Sequence, residues 1–216
     1  MDKIKASQFA DLAYYCRENP FKNYRLVEYL EGTGTQYIDT GIIPANTDTV
    51  ASGFQFTNIT ISDNTLFYID NGQAGSNAYG FSIANTSTSG QYVYVCGWGN
   101  NYARVSGVDT AKHTMSLCNG VFTVDNNTIS TSSSSSTSPN VTRSIKLFGW
   151  NRNSTVIIKG LVRVFSFTMK SSSNTTLINL VPCVRKSDSK PGMLDTVTKT
   201  FFTNSGTGEF AVGNNV

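Results

Sequence analysis

Apolar and polar residues alternate in short runs along most of the chain beyond residue 25, and clusters of Asn, Gly and Ser separate the runs. Because successive side chains of a β-strand point to opposite faces, such runs predict short strands joined by turns. The runs that fit this description are Leu26–Glu31, Gln36–Thr40, Val50–Phe56, Thr65–Asp70, Tyr79–Ala84, Gln91–Cys96, Lys112–Cys118, Val121–Asp125, Ser144–Trp150, Val156–Met169, Leu177–Val181 and Asp195–Phe202.

The number and spacing of these runs predict an all-β chain folded as a sandwich of two antiparallel sheets. Asn119-Gly120, between two of the runs, predicts a hairpin with a two-residue type I′ turn. In the longest run, Val156–Met169, both sets of alternate positions carry apolar residues, which predicts a strand buried on both faces. The unbroken Ser and Thr run Ser130–Ser138 predicts a flexible loop within the domain.

One segment, residues 5–18, has the periodicity of an amphipathic helix instead. Ser7 is placed to cap this helix, and Asn19-Pro20 is placed to end it. A single helix of this length is marginal in water, so it must pack either on the following domain or on a partner, and the sequence favours neither. We therefore predict a helical attachment segment over residues 1–24 and a sandwich domain over residues 25–216. The apolar face predicted to dock a partner consists of Phe9, Leu12, Ala13 and Cys16.

Composition and charge exclude several classes of protein. The 216 residues carry a net charge of +3 and their Lys and Arg residues are scattered, so no nucleic-acid partner is expected. No run approaches the ~18 apolar residues of a membrane-spanning helix, so no membrane partner is expected either. The N-terminus lacks the apolar core of a signal peptide, which predicts assembly inside a cell. The four cysteines form no CxxC pair, so we expect free thiols and no zinc site.

Catalytic and metal chemistry find little support in the sequence. Glycan hydrolysis needs two carboxylates flanking the sugar bond, yet Glu28 and Glu31 fall on opposite faces of a predicted strand. The only histidine, His113, begins a predicted strand, where a structural role is favoured over that of a catalytic base. We expect no enzyme activity and no cofactor. A calcium site is left open without support, and its candidate ligands are Asp63, Asp70, Asp109, Asp125 and Asp195.

Two tryptophan motifs, at residues 97–102 and 149–153, form the candidate binding site. Each places a Trp at a strand end, followed by amide side chains. Sugar recognition uses a flat aromatic face for the C–H surface of the ring and amide or guanidinium groups for the hydroxyls. The same residue types also occur in ordinary strand-end loops, and packing at the edge of the sandwich is the alternative for each Trp. The predicted ligand-binding residues are Trp98, Asn100, Asn101, Tyr102, Trp150, Asn151 and Arg152.

Four segments carry a family likeness that covers roughly residues 25–214. The first is LVEYLEGTGTQYIDTG at residues 26–41, and the last is LVPCVRKSDSKPGMLDTVTKTFFTNSGTGEFAVG at residues 180–213. KHTMSLCNGVFTVDN and SIKLFGWNRNSTVIIKGLVRVFSF lie between them in the expected order. Together they resemble the laminin-G-like, concanavalin A-like jelly-roll domains of gut bacterial surface proteins and bacteriophage virion proteins.

The resemblance implies a jelly-roll sandwich whose first and last strands lie close together, with binding on the concave sheet face or the rim loops. Some members of such families bind sugars, some carry calcium and some hydrolyse glycans, so the fold alone does not decide the activity. We expect a non-catalytic, virion-associated adhesin that displays a lectin-like surface, binds a host-surface glycan and docks to other virion proteins. Such proteins often form homo-oligomers, and the sequence does not fix their number. The alternatives are a carbohydrate-binding module of a bacterial cell surface and, less favoured, a glycoside hydrolase.

Overall fold

The computed structural model of the protein describes residues 19–61, 63–72, 77–85, 90–131, 138–153, 155–158 and 160–216. These residues form strands and turns and contain no helix, which confirms the all-β prediction. The predicted helix and its docking face, Phe9, Leu12, Ala13 and Cys16, lie outside the described residues.

In chain order the strands are β1 Tyr24–Leu26, β2 Leu30–Glu31, β3 Ile38–Asp39, β4 Thr49–Phe56, β5 Asn64–Asp70, β6 Ala78–Asn85, β7 Tyr92–Gly99, β8 Asn101–Val105, β9 His113–Cys118, β10 Val121–Val124, β11 Asn127–Thr131, β12 Lys146–Leu147, β13 Gly149–Arg152, β14 Thr155–Ile158, β15 Val162–Lys170, β16 Thr176–Arg185, β17 Pro191–Asp195, β18 Phe201–Thr203 and β19 Ala211–Val212.

Two sheets and one short strand pair organise these strands. The larger sheet has the order β11-β10-β9-β4-β15-β16-β17-β18, with β1 added on β16, β2 on β15 and β19 on β2. The smaller sheet has the order β14-β13-β5-β6-β7-β8, and β3 pairs with β12. The sheets pack as a sandwich, as the sequence predicts. Among the described strands, β13 runs parallel to β5, so the prediction of purely antiparallel sheets is wrong at this pair.

The last strand of the sandwich lies beside an early one, β2. In β19, Ala211 and Val212 pair with Glu31 and Leu30 of β2, and β2 in turn pairs with β15. This closure agrees with the arrangement that the resemblance implies. The two ends of the domain are thereby held by the same central strand of the larger sheet.

Aromatic rings fill the space between the sheets. Phe54 on β4 meets Phe81 on β6 edge-to-face, with ring centroids 5.4 Å apart. Phe67 on β5 meets Phe167 on β15 in the same geometry at 6.0 Å. Each pair joins one sheet to the other, and burial of such rings is the main favourable contribution to folding.

The prediction of one continuous strand over Val156–Met169 is wrong, because this segment forms two strands in different sheets. β14 belongs to the smaller sheet and β15 to the larger, and the chain crosses between them at Gly160. A Cβ on Gly160 would lie 2.5 Å from the carbonyl oxygen of Phe148, so only glycine fits this crossing. β15 buries one face rather than two, because a bulge between Val164 and Ser166 returns the later apolar residues to the core face.

The predicted strand Asp195–Phe202 contains a turn. β17 ends at Asp195, and β18 begins at Phe201. The Asp195 side chain accepts hydrogen bonds from the backbone N–H groups of Val197 at 3.1 Å and Thr198 at 3.0 Å, which stabilises the turn. β8, β11 and β19 lie outside the strands predicted from the sequence, and β17 overlaps a predicted strand only at Asp195.

The Asn119-Gly120 hairpin is confirmed. β9 and β10 pair with Cys118 opposite Val121, directly across the turn. Asn119 and Gly120 have φ of 45° and 77°, and a type I′ turn requires positive φ at both positions.

The inter-sheet ring contacts predict a large loss of stability when Phe54 is truncated. Phe54 is fully buried and contacts Phe56 and Phe81, so Phe54→Ala leaves a cavity that the two sheets cannot close. We expect the free energy of unfolding in urea to fall by about 3–5 kcal/mol. The exposed Val197 is the control, since Val197→Ala is expected to change this free energy by less than about 0.5 kcal/mol. Equal effects of the two substitutions would contradict the packing described here.

Candidate functional site

The candidate site lies on the outer face of the smaller sheet, which is the face turned away from the larger sheet. Alternate residues of β5, β6 and β7 fill the core, and Phe67, Tyr79, Phe81 and Trp98 belong to this set. Because successive side chains of a strand leave by opposite faces, the residues between them point outward.

One row of outward residues crosses five strands of the smaller sheet. Trp150 on β13 lies opposite Tyr68 on β5, and Tyr68 lies opposite Gly80 on β6. Gly80 lies opposite Gly97 on β7, and Gly97 lies opposite Tyr102 on β8. The row therefore has aromatic residues towards both ends and two glycines between them.

Gly97 makes room for the side chain of Tyr68, and Gly80 lets the backbones of β5 and β6 approach closely. A Cβ on Gly97 would lie 2.5 Å from Tyr68 Oη, and a Cβ on Gly80 would lie 2.5 Å from Tyr68 Cα. The ring consequently rests against the sheet at Gly97 and is almost fully buried although it belongs to the outer face. Burial, with a smaller contribution from the Asp70 carboxylate, raises the pKa of the Tyr68 hydroxyl, which keeps it neutral near physiological pH.

An ion pair between a buried carboxylate and a partly exposed arginine fixes the β13 end of the row. Asp70 is fully buried, and Arg152 Nε and Nη2 donate to its Oδ2 at 3.4 and 3.3 Å. The Arg152 guanidinium carbon lies 4.0 Å from the centroid of the Trp150 ring, and Trp150 meets Tyr68 edge-to-face with centroids 4.9 Å apart. Because a buried carboxylate strongly favours keeping its partner, Asp70 holds Arg152 in place and Arg152 in turn orients Trp150.

These side chains border a cavity of about 200 Å³, which we call the outer groove. Its lining combines aromatic rings, two guanidinium groups and a small aliphatic floor, as is common in ligand sites that orient a small molecule by a few polar groups. The residues that line it are Asp63, Tyr68, Ser82, Ala84, Val95, Tyr102, Arg104, Trp150 and Arg152.

The structure brings three of the seven predicted ligand-binding residues together in the outer groove: Tyr102, Trp150 and Arg152. Trp98 is only 4% exposed and packs against Tyr79 in the core, which is the packing role that the sequence left as the alternative. Asn151 also points inward, is buried, and donates from Nδ2 to the carbonyl oxygen of Ser144 at 3.2 Å.

Asn100 and Asn101 lie where β7 turns into β8, and Asn101 is opposite Trp98. Neither lines the outer groove. The two tryptophan motifs therefore look alike in sequence but present opposite faces of their strands, with Trp150 outward and Trp98 inward.

Sequence reasoning missed Tyr68, Ser82, Val95 and Arg104 as groove residues. Tyr68 and Val95 lie in predicted strands, where the alternation of apolar and polar residues does not distinguish them from other strand residues. Their place in one groove depends on how β5, β6, β7 and β8 pair, which a single sequence does not reveal. Arg104 follows Tyr102 by two residues, and this spacing would have indicated a shared face if β8 had been recognised as a strand.

His113 lies in a separate cluster of charged side chains. Its Nδ1 is 2.6 Å from Asp125 Oδ2, and its Nε2 is 2.9 Å from Asp109 Oδ1. Burial lowers the pKa of His113, but the hydrogen bonds to Asp125 and Asp109 outweigh it, so the net shift is upward. The same hydrogen bonds lower the pKa of both carboxyl groups. With both nitrogens engaged, the ring has no free lone pair for the role of a catalytic base.

The candidate calcium ligands are dispersed. Asp109 and Asp125 face different nitrogens of His113, Asp70 holds Arg152, and Asp195 stabilises its own turn. Within the part of the chain that the structure describes, no group of three His, Cys, Asp or Glu side chains converges as a metal site. The cysteines there, Cys96, Cys118 and Cys183, are free. That same part also contains no helix long and apolar enough to cross a membrane.

Comparisons with known proteins identify no family for this chain. A scan against protein-family models found no match, and a search of curated proteins found no match either. The outer groove itself is consequently the basis for assigning a function.

The His113 cluster predicts a pH-dependent contribution to stability. The raised pKa means that the folded state holds its proton more tightly than the unfolded state, whose His pKa is about 6.5. The stabilisation is therefore complete below about pH 6.5 and is lost as the pH rises through the folded-state pKa of His113. We expect the free energy of unfolding, measured in urea between about pH 6 and pH 9, to fall with pH in the natural protein.

His113→Gln provides the matched control because it keeps a polar side chain and removes the titration. In this variant the free energy of unfolding should change less over the same pH interval. The upward shift of the His113 pKa would be contradicted if the natural protein gained stability as the pH rises. It would also be contradicted if the variant had the same pH dependence as the natural protein.

Proposed function

We propose that this protein is a non-catalytic carbohydrate-binding protein that recognises glycans in its outer groove. The observation that carries the proposal is the convergence of Trp150, Tyr102, Arg104 and Arg152 on one cavity on the outer face of the smaller sheet. The proposal includes the display of this surface on a bacteriophage virion, where it serves as an adhesin for host-surface glycans. The alternative display site is a bacterial cell surface.

The chemistry of the groove fits one face of a sugar ring. Sugar rings have apolar C–H faces, which pack on aromatic rings such as those of Tyr102 and Trp150, and hydroxyl edges, which need hydrogen-bond donors and acceptors. Arg152, Arg104 and the hydroxyl of Ser82 supply polar groups beside these rings. The cavity of about 200 Å³ is suited to one sugar unit of a glycan rather than to a long buried chain.

The geometry favours binding over hydrolysis. Hydrolysis of a glycosidic bond needs two carboxyl groups. One is protonated and acts as the acid, and the other is ionised and attacks the sugar or activates water. At the groove, the Asp70 carboxylate is buried and engaged with Arg152 and with the backbone N–H of Gly72 at 3.0 Å. The imidazole of His113 is occupied by two carboxylates elsewhere. A glycoside hydrolase is therefore the less supported function.

We assign the sandwich to the concanavalin A-like, laminin-G-like jelly-roll class as part of the same proposal. Its support is the resemblance of residues 26–41 and 180–213, the two packed sheets, and the pairing of β2 with β19. The resemblance implies binding on the concave sheet face or the rim loops, and the outer groove is the sheet-face site that we propose.

A comparison of the two tryptophans tests glycan binding at the groove. Trp150→Ala removes a groove wall, so we expect it to weaken binding at least about tenfold, a loss of ~1.4 kcal/mol, on an array of microbial and host glycans. Trp98→Ala removes a buried ring and should lower the free energy of unfolding by about 3–5 kcal/mol. The proposal would be overturned if Trp150→Ala left the glycan affinity nearly unchanged, or if the protein bound none of the glycans and host cells tested.

We further propose that residues 1–24 attach the domain to other virion proteins. Since Tyr24 belongs to β1 and pairs with Arg185 of β16, the sharper deletion removes residues 1–18 and keeps β1 intact. The truncated protein should retain the melting temperature of the domain and lose its incorporation into particles assembled in host cells. Incorporation equal to that of the full chain would contradict the docking role.

A further inference from the structure

Arg104 is the groove cation whose charge is not compensated within the described structure. It lies on β8 opposite Val95, which lies opposite Ser82, so it shares the outer face with the groove row. Its guanidinium carbon is 5.5 Å from the centroid of the Tyr102 ring. Among the described residues, none forms a salt bridge with it.

Most of the other arginines of the two sheets differ from Arg104 in this respect; the exception among the described residues is Arg25 on β1, which donates to Asn215 Oδ1. Three of them have carboxylate partners at hydrogen-bonding distance: Arg152 with Asp70, Arg163 with Glu31, and Arg185 with Asp188. Arg104 instead projects from an edge strand, is exposed, and stands beside an aromatic ring that is itself 40% exposed. Its guanidinium N–H groups are therefore available to a ligand in the groove or to water.

We propose that the outer groove selects a sugar that bears an acidic group, either a carboxylate or a sulfate ester, and that Arg104 binds this group. This inference rests on the proposed glycan-binding function and names its ligand class. A guanidinium presents parallel N–H donors that match the two oxygens of a carboxylate or a sulfate, and such charge-assisted pairs are about twice as strong as neutral hydrogen bonds.

Among the described residues, Arg104 is the cationic side chain of the groove lining that has no salt bridge. The positive charge of Arg152 is compensated by the buried carboxylate of Asp70, so Arg152 contributes shape and hydrogen bonds more than net charge. Asp63 also lines the groove and brings a negative charge to it, and this residue already has an interaction within the protein. Arg104 is then the group that attracts an acid, and Tyr102 beside it offers a ring face for the sugar that carries the acid.

A nucleic acid is a less fitting anion for this groove. Phosphate polymers are bound by tracks of several basic side chains, whereas the groove offers one uncompensated cation and the whole chain carries a net charge of only +3. We therefore commit to the acidic sugar and use a single-stranded oligonucleotide as a competitor in the test.

The test compares matched glycans with two variants at the same position. Binding of neutral oligosaccharides and of the same backbones bearing a uronic acid or a sulfate is measured by calorimetry at low salt. Arg104→Gln removes the charge, and Arg104→Lys keeps the charge without the planar fork. The control is Lys112→Gln, which changes the net charge equally but lies over the Phe165 ring on the larger sheet. Melting curves of all variants verify the fold.

We expect the natural protein to prefer the acidic glycans. Arg104→Gln should lower the ratio of acidic to neutral affinity at least about tenfold, Arg104→Lys should lower it less, and Lys112→Gln should leave the ratio as it is. The separate carboxylate and sulfate panels identify which acid is bound.

Equal binding of neutral and acidic glycans, or an unchanged ratio in Arg104→Gln, overturns the acidic specificity and leaves the glycan-binding function standing. Displacement of the glycans by the oligonucleotide at lower concentration than by any acidic sugar also overturns it. Failure of every glycan to bind, with Trp150→Ala indistinguishable from the natural protein, overturns the glycan-binding function itself.

Discussion

Successive side chains of a β-strand must leave by opposite faces, and in the smaller sheet this constraint decides what the groove contains. Gly80 and Gly97 lie side by side in the middle of the sheet. Gly97 leaves space for the Tyr68 ring, and a Cβ on Gly80 would collide with the backbone of β5. A shift of one residue in the pairing of β7 would bring Trp98 to the outer face and carry Gly97 into the core. Gly97 thus makes the observed register the one that accommodates the Tyr68 ring, and the aromatic ends of the row follow from it.

The core and the groove depend on the same strands. Phe67 faces the larger sheet while its neighbour Tyr68 faces the groove, so the ring packing that holds β5 in place also positions the groove wall. At the end of β5, the buried pair of Asp70 and Arg152 continues this support to β13 and to Trp150. A site built on paired strands in this way is more rigid than one built on loops, and rigidity lowers the entropic cost of binding a ligand. Arg104 lies on an edge strand, where its long side chain can adjust to the ligand.

The sequence was informative about alternation and less so about pairing. It predicted the all-β sandwich and the Asn119-Gly120 hairpin, because both follow from local residue patterns. It did not separate β14 from β15, since the crossing at Gly160 depends on a close backbone contact with Phe148, which lies between β12 and β13, and a single sequence does not reveal that contact. It also gave Trp98 and Trp150 equal weight, because their motifs match and only the strand register distinguishes an inward ring from an outward one.

The register of the smaller sheet is tested most directly by ring-to-ring nuclear Overhauser effects in the folded protein, whose two tryptophans are resolved by their indole signals. The account predicts contacts from Trp150 to Tyr68, whose ring centroids are 4.9 Å apart, and from Trp98 to Tyr79, whose centroids are 5.8 Å apart. Contacts of Trp98 with Tyr68, or of Trp150 with Tyr79, would place the wrong ring on the outer face and contradict the assignment of the groove.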